Sequence, residues 1–243
     1  MTWGTSINEL ADDVRCAWDE VIRLEGMKWE TERMVRALIS HSSGGGLAQY
    51  MLDKDLVRTS ALVLCATVPG YGSMGVYRNW FKNDPWFLVR SYAHLMHPRS
   101  PLSSTPLVHS AFFSQACPEE NVREFERWMS PWESMLWPLY MMRSFVSFPR
   151  VVQNITGWNR GSRICVVAGT QDKLMGVVLI EKLADCLRAA VKENAADKKI
   201  DSPKDVEEGV KLVIVRDAGH HLQNDSVWGD GARQLLEFFE ALN

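Results

Sequence analysis

Hydrophobic positions along the chain follow two rhythms. Residues 6–25 place Leu10, Val14, Trp18, Val21 and Ile22 at helical spacing, with Ser6 or Thr5 available as a cap and Gly26 just past the last turn. MVRALIS (34–40) is a short apolar run ending at a serine, and LAQYMLDK (47–54) returns to a helical pattern. TSALVLCATVPG (59–70) is a continuous Val/Leu run closed by Pro-Gly, the pattern of a strand buried on both faces. RICVVAGTQD (163–172) and VKLVIVRDAGHH (210–221) repeat that form. Between and after them lie long helical patterns, 174–194 with Leu179, Leu183 and Leu187, and 226–242 with Leu235, Leu236, Phe238 and Phe239. Strands alternating with helices predict an α/β fold with a mostly parallel sheet flanked by helices.

Residues 77–157 interrupt the alternation. They are rich in Trp, Phe, Met and Pro, and their patterned pieces, such as PEENVREFERWM and ESMLWPLYMMRSF, are helical. The expected organisation is a core built from 1–76 and 158–243, with a helical cap, 77–157, inserted after the second strand of full length. The stretch 195–209 is charged, carries a Ser-Pro turn signal and reads as a solvated loop.

Composition narrows the class. With 243 residues, 46% of them hydrophobic and 23% charged, the chain suits one globular domain with a sizeable core. A net charge of −3 gives no electrostatic reason to expect nucleic acid or an anionic membrane as partner. Five scattered cysteines without a C-x-x-C pair fit buried thiols in a reducing compartment. No apolar run reaches the ~20 residues of a membrane span, and MTWGTSINELADDV lacks the apolar stretch of a secretory signal, so the expected location is cytoplasmic.

Candidate chemistry sits just beyond three apolar runs. Ser40-His41-Ser42-Ser43-Gly44 has the form small-x-Ser-x-small, which a sharp strand-to-helix turn requires when it holds a nucleophilic serine. Taken alone, the match also fits a glycine-softened loop. A serine hydroxyl needs an oriented imidazole to take its proton. Asp217-Ala218-Gly219-His220-His221 supplies one at the end of the last apolar run, His220 or the adjacent His221. Ala168-Gly169-Thr170-Gln171-Asp172 supplies a carboxylate, although Asp172 also suits a helix cap. Ligands in open parallel sheets bind at the carboxyl ends of strands, and all three residues fall there.

With the elbow SHSSGGGLAQ, the acid turn VVAGTQDKL and the histidine turn DAGHH in the order Ser, Asp, His, the sequence resembles the α/β-hydrolase fold superfamily over nearly its whole length. The likeness is to the esterase- and lipase-like branch with a helical cap, and the Trp-rich insertion and Gly-His-His ending are similar to fungal hydrolases. It implies Ser42 as nucleophile, Asp172 as acid, His220 as base and the Ser43 N–H as an oxyanion donor, with no metal or organic cofactor. Ser40 stands where the family usually has glycine. In that pattern four strands and an oxyanion loop ordinarily precede the first helix, whereas here only 41 residues precede Ser42. A remnant of this kind leaves the 34–40 strand as an open edge, so either a second copy or another partner covers it or the chain is a truncated form of a longer enzyme; truncation is the expectation.

Aromatic residues of the cap, Trp80, Trp86, Phe112, Phe113, Trp132 and Trp137, are the candidate lining of an apolar pocket. Glu133 reads first as a solvated helix acid, with a lone polar group beside the pocket as the alternative. His94, His97 and His109 lack the spacing of a metal pair and read as surface or lid histidines. The expected activity is hydrolysis of an ester, lactone or thioester of an apolar small molecule. The alternatives are a non-catalytic remnant that binds apolar ligand or protein, and an acyltransferase or cyclase on the same fold.

Overall fold

The structure, a computed structural model, describes residues 4–24, 34–35, 37–130, 134, 136–201 and 209–242. Helix α1 (Ile7–Leu24) is followed by β1 (Met34–Val35), β2 (Leu38–His41), α2 (Ser42–Asp53), β3 (Arg58–Thr59) and β4 (Leu62–Cys65). Six helices come next, α3 (Met74–Asn83), α4 (Phe87–Ala93), α5 (Thr105–Phe112), α6 (Glu119–Trp128), α7 (Leu136–Tyr140) and α8 (Phe148–Gln153). The chain closes with β5 (Ile164–Gly169), α9 (Val177–Ala196), β6 (Val210–Val215) and α10 (Trp228–Glu240).

The main sheet is parallel, in the order β2-β4-β5-β6, with Leu38 opposite Leu62, Leu62 opposite Ile164 and Ile164 opposite Val210. β1 and β3 form a separate parallel pair. The predicted 34–40 strand therefore arrives in two pieces, and its second piece runs on to His41. Each crossover between sheet neighbours passes through helix, as a parallel sheet demands. The continuous apolar runs are explained by burial on two faces. Leu62, Leu64, Ile164, Val166 and Val210 pack on one side with α1, α2 and α9. Val63, Cys165, Val167, Val213 and Val215 pack on the other, with Phe238 of α10.

Apart from one bridge between Thr59 and Ile155, no described residue between β4 and β5 is in a strand. Within this stretch α5 and α6 enclose a small core of their own, Val108, Phe113, Cys117 and Val122. The charged 195–209 stretch begins as helix, since α9 runs to Ala196, and residues 202–208 lie outside the described residues, as does Gly26. Among the described residues, no helix is long and apolar enough to cross a membrane.

Candidate active site

At the end of β2 the chain turns straight into α2. His41 is still extended, with φ −129° and ψ 143°, and Ser42 has a left-handed φ of 53°. That conformation is costly for a non-glycine residue and is held from outside: the Ser42 carbonyl accepts from Val68 N at 2.9 Å and from Thr67 Oγ1 at 3.2 Å. One strand over, the Ser40 hydroxyl donates to Val63 O at 3.0 Å. Serine in place of the more usual glycine thus adds a tie between β2 and β4.

The Asp172 turn leaves β5 through Gly169. A Cβ there would meet Ala218 O at 2.3 Å, so only glycine lets the acid and histidine turns lie against each other. Gln171 N donates to Ala218 O at 2.8 Å, and Asp217 N donates to Thr170 Oγ1 at 2.8 Å. Asp172 is buried, and its Oδ1 accepts from the backbone N–H groups of Leu174 and Met175, each at 2.8 Å. Its Oδ2 faces His220 Nδ1 at 2.9 Å. A carboxylate on Nδ1 fixes the proton there and leaves Nε2 bare. Nε2 lies 2.9 Å from Ser42 Oγ, so the hydroxyl donates to it. The three predicted residues are joined in one chain of hydrogen bonds. His221 is not part of that chain: its backbone N–H donates to Phe112 O at 2.7 Å, and its ring packs edge-on to Phe125 at 4.3 Å.

Two residues the sequence reading passed over, His41 and Asp225, hold the histidine turn. His41 Nε2 donates to the His220 carbonyl at 2.9 Å, and its ring lies 4.9 Å from the His220 ring. Burial pushes His41 down to about 4, with the neighbouring His220 adding to the effect. Burial likewise pushes His221 down to about 3, helped by His41 and His220. Both rings are neutral around pH 7. Asp225, 1% exposed, accepts from Ser114 N at 2.7 Å, Ser114 Oγ at 2.6 Å, Gly219 N at 3.0 Å and Ser226 N at 2.7 Å. Burial raises its pKa, but the hydrogen bonds from Ser114, Gly219 and Ser226 outweigh it and leave the carboxyl below its usual value. Asp225 thus pins the histidine turn to the helical insertion. Only its place shortly after His220 could have hinted at this role, and nothing in the pattern of LQNDSV separates it from a turn aspartate.

Ser42 and Ser43 open onto a cavity of about 350 Å³ with mostly apolar walls. Trp80, Phe112 and Trp137 line it, together with Met129, Met141 and Met175. Two of the expected lining residues do not. Trp86 is 67% exposed, because Phe87 beside it takes the inward position and stacks on Trp80 at 5.7 Å. Phe113 is buried in the small α5–α6 core, 5.4 Å from Phe125. Trp132 and Glu133 lie outside the described residues. His94 and His97 are exposed, and His109 Nε2 donates to Ser114 O at 2.9 Å. Among the described residues no group of three or more His, Cys, Asp or Glu is placed to hold a metal ion. Burial pushes the Cys65 and Cys165 thiols up to about 12, which keeps them protonated.

A family model described as "Alpha/beta hydrolase family" matches residues 5–231. No curated protein sequence matches the chain. Among solved structures, a thermophilic esterase from Thermogutta terrifontis superposes with a TM-score of 0.61 at 15% identity, over 98% of this chain and 73% of that one. A thermostable carboxyl esterase from Bacillus coagulans gives 0.61 at 15% identity, over 99% and 74%. A meta-cleavage product hydrolase from Pseudomonas fluorescens gives 0.52 at 14%, over 99% and 74%. At these identities the likeness is one of fold.

Proposed function

The chain belongs to the α/β-hydrolase family, and from that premise we propose that it is a serine hydrolase acting on an ester, lactone or thioester of an apolar small molecule. The observation that carries the reading is the continuous relay Ser42–His220–Asp172, with both contacts at 2.9 Å, opening onto the apolar cavity. Ser42 Oγ attacks the substrate carbonyl while His220 Nε2 takes its proton. Asp172 holds the ring in the required tautomer and balances the imidazolium that forms. The tetrahedral oxyanion is received by the Ser43 N–H, one of the unpaired donors in the first turn of α2, where the helix dipole favours negative charge. Loss of one such donor costs ~10²–10³ in rate. His220 then protonates the leaving group, and water reverses the sequence to release the acid. Trp80, Phe112 and Trp137 bind the apolar part of the substrate. The solved neighbours named as esterases agree with this chemistry.

A fluorophosphonate probe with the full chain tests the assignment. Labelling is expected on wild type and absent in Ser42→Ala, with hydrolysis of an activated ester down on the order of 10³-fold or more in the variant. Folded wild-type protein that takes no label would reject the catalytic reading in favour of a binding remnant. Turnover that rises with an added alcohol and yields a new ester would identify an acyltransferase instead.

A further inference from the structure

The helical insertion carries the largest run of exposed apolar side chains in the described chain. Along α4, Phe87 and Ser91, four residues apart, face inward and are buried, while Leu88 and Tyr92, also four apart, face outward. Trp86 at 67%, Tyr92 at 82% and Leu95 at 85% exposure lie mostly in water, with the exposed Val89 and Met96 near them along the chain. This display is fixed. Leu95 and Met96 both take left-handed φ, 53° and 58°, in a turn closed by Leu95 N to Tyr92 O at 3.0 Å and Met96 N to Ser91 O at 2.7 Å. Two successive strained non-glycine residues that hold a leucine out in water are a standing cost with no return inside the molecule.

The segment that carries this patch is opposite in charge to the whole chain. The chain carries −3. Between Met74 and Arg99, however, Arg78, Lys82, Arg90 and Arg99 face a single acid, Asp84, which pairs with Arg90. Arg78 and Lys82 are exposed and have no ion pair among the described residues, and His94 and His97 lie exposed nearby along the chain. The segment ends at Pro98 and Arg99, which line the cavity that opens at Ser42.

We propose that the outward side of residues 86–96 docks on the surface of an anionic lipid bilayer, with Trp86, Leu88, Tyr92 and Leu95 entering the headgroup region and Arg78 and Lys82 facing the lipid charge. Amphipathic aromatic rings suit that depth, and basic flanks suit that charge. A second copy of the chain is the poorer partner. A two-fold contact would set this basic segment against itself. Docking there places the rim of the cavity at the lipid surface, so an apolar substrate enters without crossing water. The even-handed expectation drawn from net charge alone misses this, because the positive charge is local.

Vesicle co-sedimentation of the full chain tests the proposal, and it reads binding whether or not the protein is a hydrolase. Phosphatidylcholine vesicles containing phosphatidylglycerol are expected to bind at least about tenfold better than pure phosphatidylcholine, with the difference shrinking at high salt. The double variant Leu88→Asp/Leu95→Asp is expected to lose binding by about tenfold or more while keeping its circular dichroism and unfolding midpoint, since both side chains are already in water. Arg78→Gln/Lys82→Gln is expected to remove the preference for anionic vesicles and leave weak neutral binding. The proposal is overturned by absence of vesicle binding, by equal binding to both compositions, by binding that survives Leu88→Asp/Leu95→Asp, or by a dimer that this double variant breaks.

Discussion

His41 is the residue whose importance depends most on where it sits and least on what it is. In the sequence it is the variable position of small-x-Ser-x-small, and nothing in the pattern assigns it a task. In the structure it donates to the His220 carbonyl and packs between the half-buried His221 ring and the buried His220 ring. A histidine held down to about 4, like His41, stays neutral when folded but takes up a proton near pH 6.5 when unfolded. Above about pH 6.5 both states are neutral, and this group adds no pH dependence. Below it the unfolded chain binds the extra proton, so stability falls as pH drops towards about 4, and for His221 towards about 3. Each such group contributes a slope of about 1.4 kcal/mol per pH unit across its window. His41→Gln should therefore lose less stability than wild type between about pH 7 and pH 4.5, by on the order of 2–3 kcal/mol. Urea unfolding at the two pH values measures the difference, and equal acid losses in both proteins would contradict a neutral, buried His41. The juxtaposition of Ser42, Asp172 and His220 has a mark in the sequence, because each follows an apolar run. Their supports, His41 and Asp225, have none, because they act through backbone atoms that only the fold brings near.

Elements were legible where burial leaves a periodic mark. β4 and β5 are covered on both faces, so they read as unbroken apolar runs, and α9 shows its buried stripe through Leu183 and Leu187. The aromatic insertion was legible as helix but not as surface, since α4 carries Phe87 inward and Trp86 outward one residue apart. The elbow shows the same limit in finer detail. The motif places its second small residue at Gly44, but α2 begins at Ser42, and a helix turns about 100° per residue. Gly44 therefore faces solvent, while Gly45 comes round against β4's continuation. A Cβ on Gly44 would meet nothing within 4 Å, whereas one on Gly45 would sit 1.7 Å from Thr67 Oγ1 and 2.6 Å from Thr67 Cβ. Gly44→Ala should stabilise the protein by about 0.5–1 kcal/mol through helix propensity. Gly45→Ala should cost about 1–3 kcal/mol, because Thr67, which also anchors the Ser42 carbonyl, must move. Chemical unfolding of the pair decides it; equal effects of the two substitutions would mean that the close approach of α2 to Thr67 is not real.

At the scale of the whole molecule, the sheet order leaves β2, the strand that delivers Ser42, at one margin. Among the described residues no strand pairs with its outer side, and Ile39 in its middle is 58% exposed. An unpaired strand margin with an apolar side chain is a template for another chain. The expected behaviour is association that grows with protein concentration, through β2 and not through α4. Ile39→Lys places a charge on that margin at little cost to the core, because the side chain is already in water. Sedimentation velocity should show wild type shifting to larger species as concentration rises and the variant remaining monomeric. Leu88→Asp/Leu95→Asp, in and just after α4, should leave this association unchanged. A wild-type chain that stays monomeric up to about 100 μM, far above a dissociation constant of about 1 μM, would show that the margin is blunted without a partner. In that case the twist of the four-stranded parallel sheet is sufficient protection for the strand that ends at Ser42.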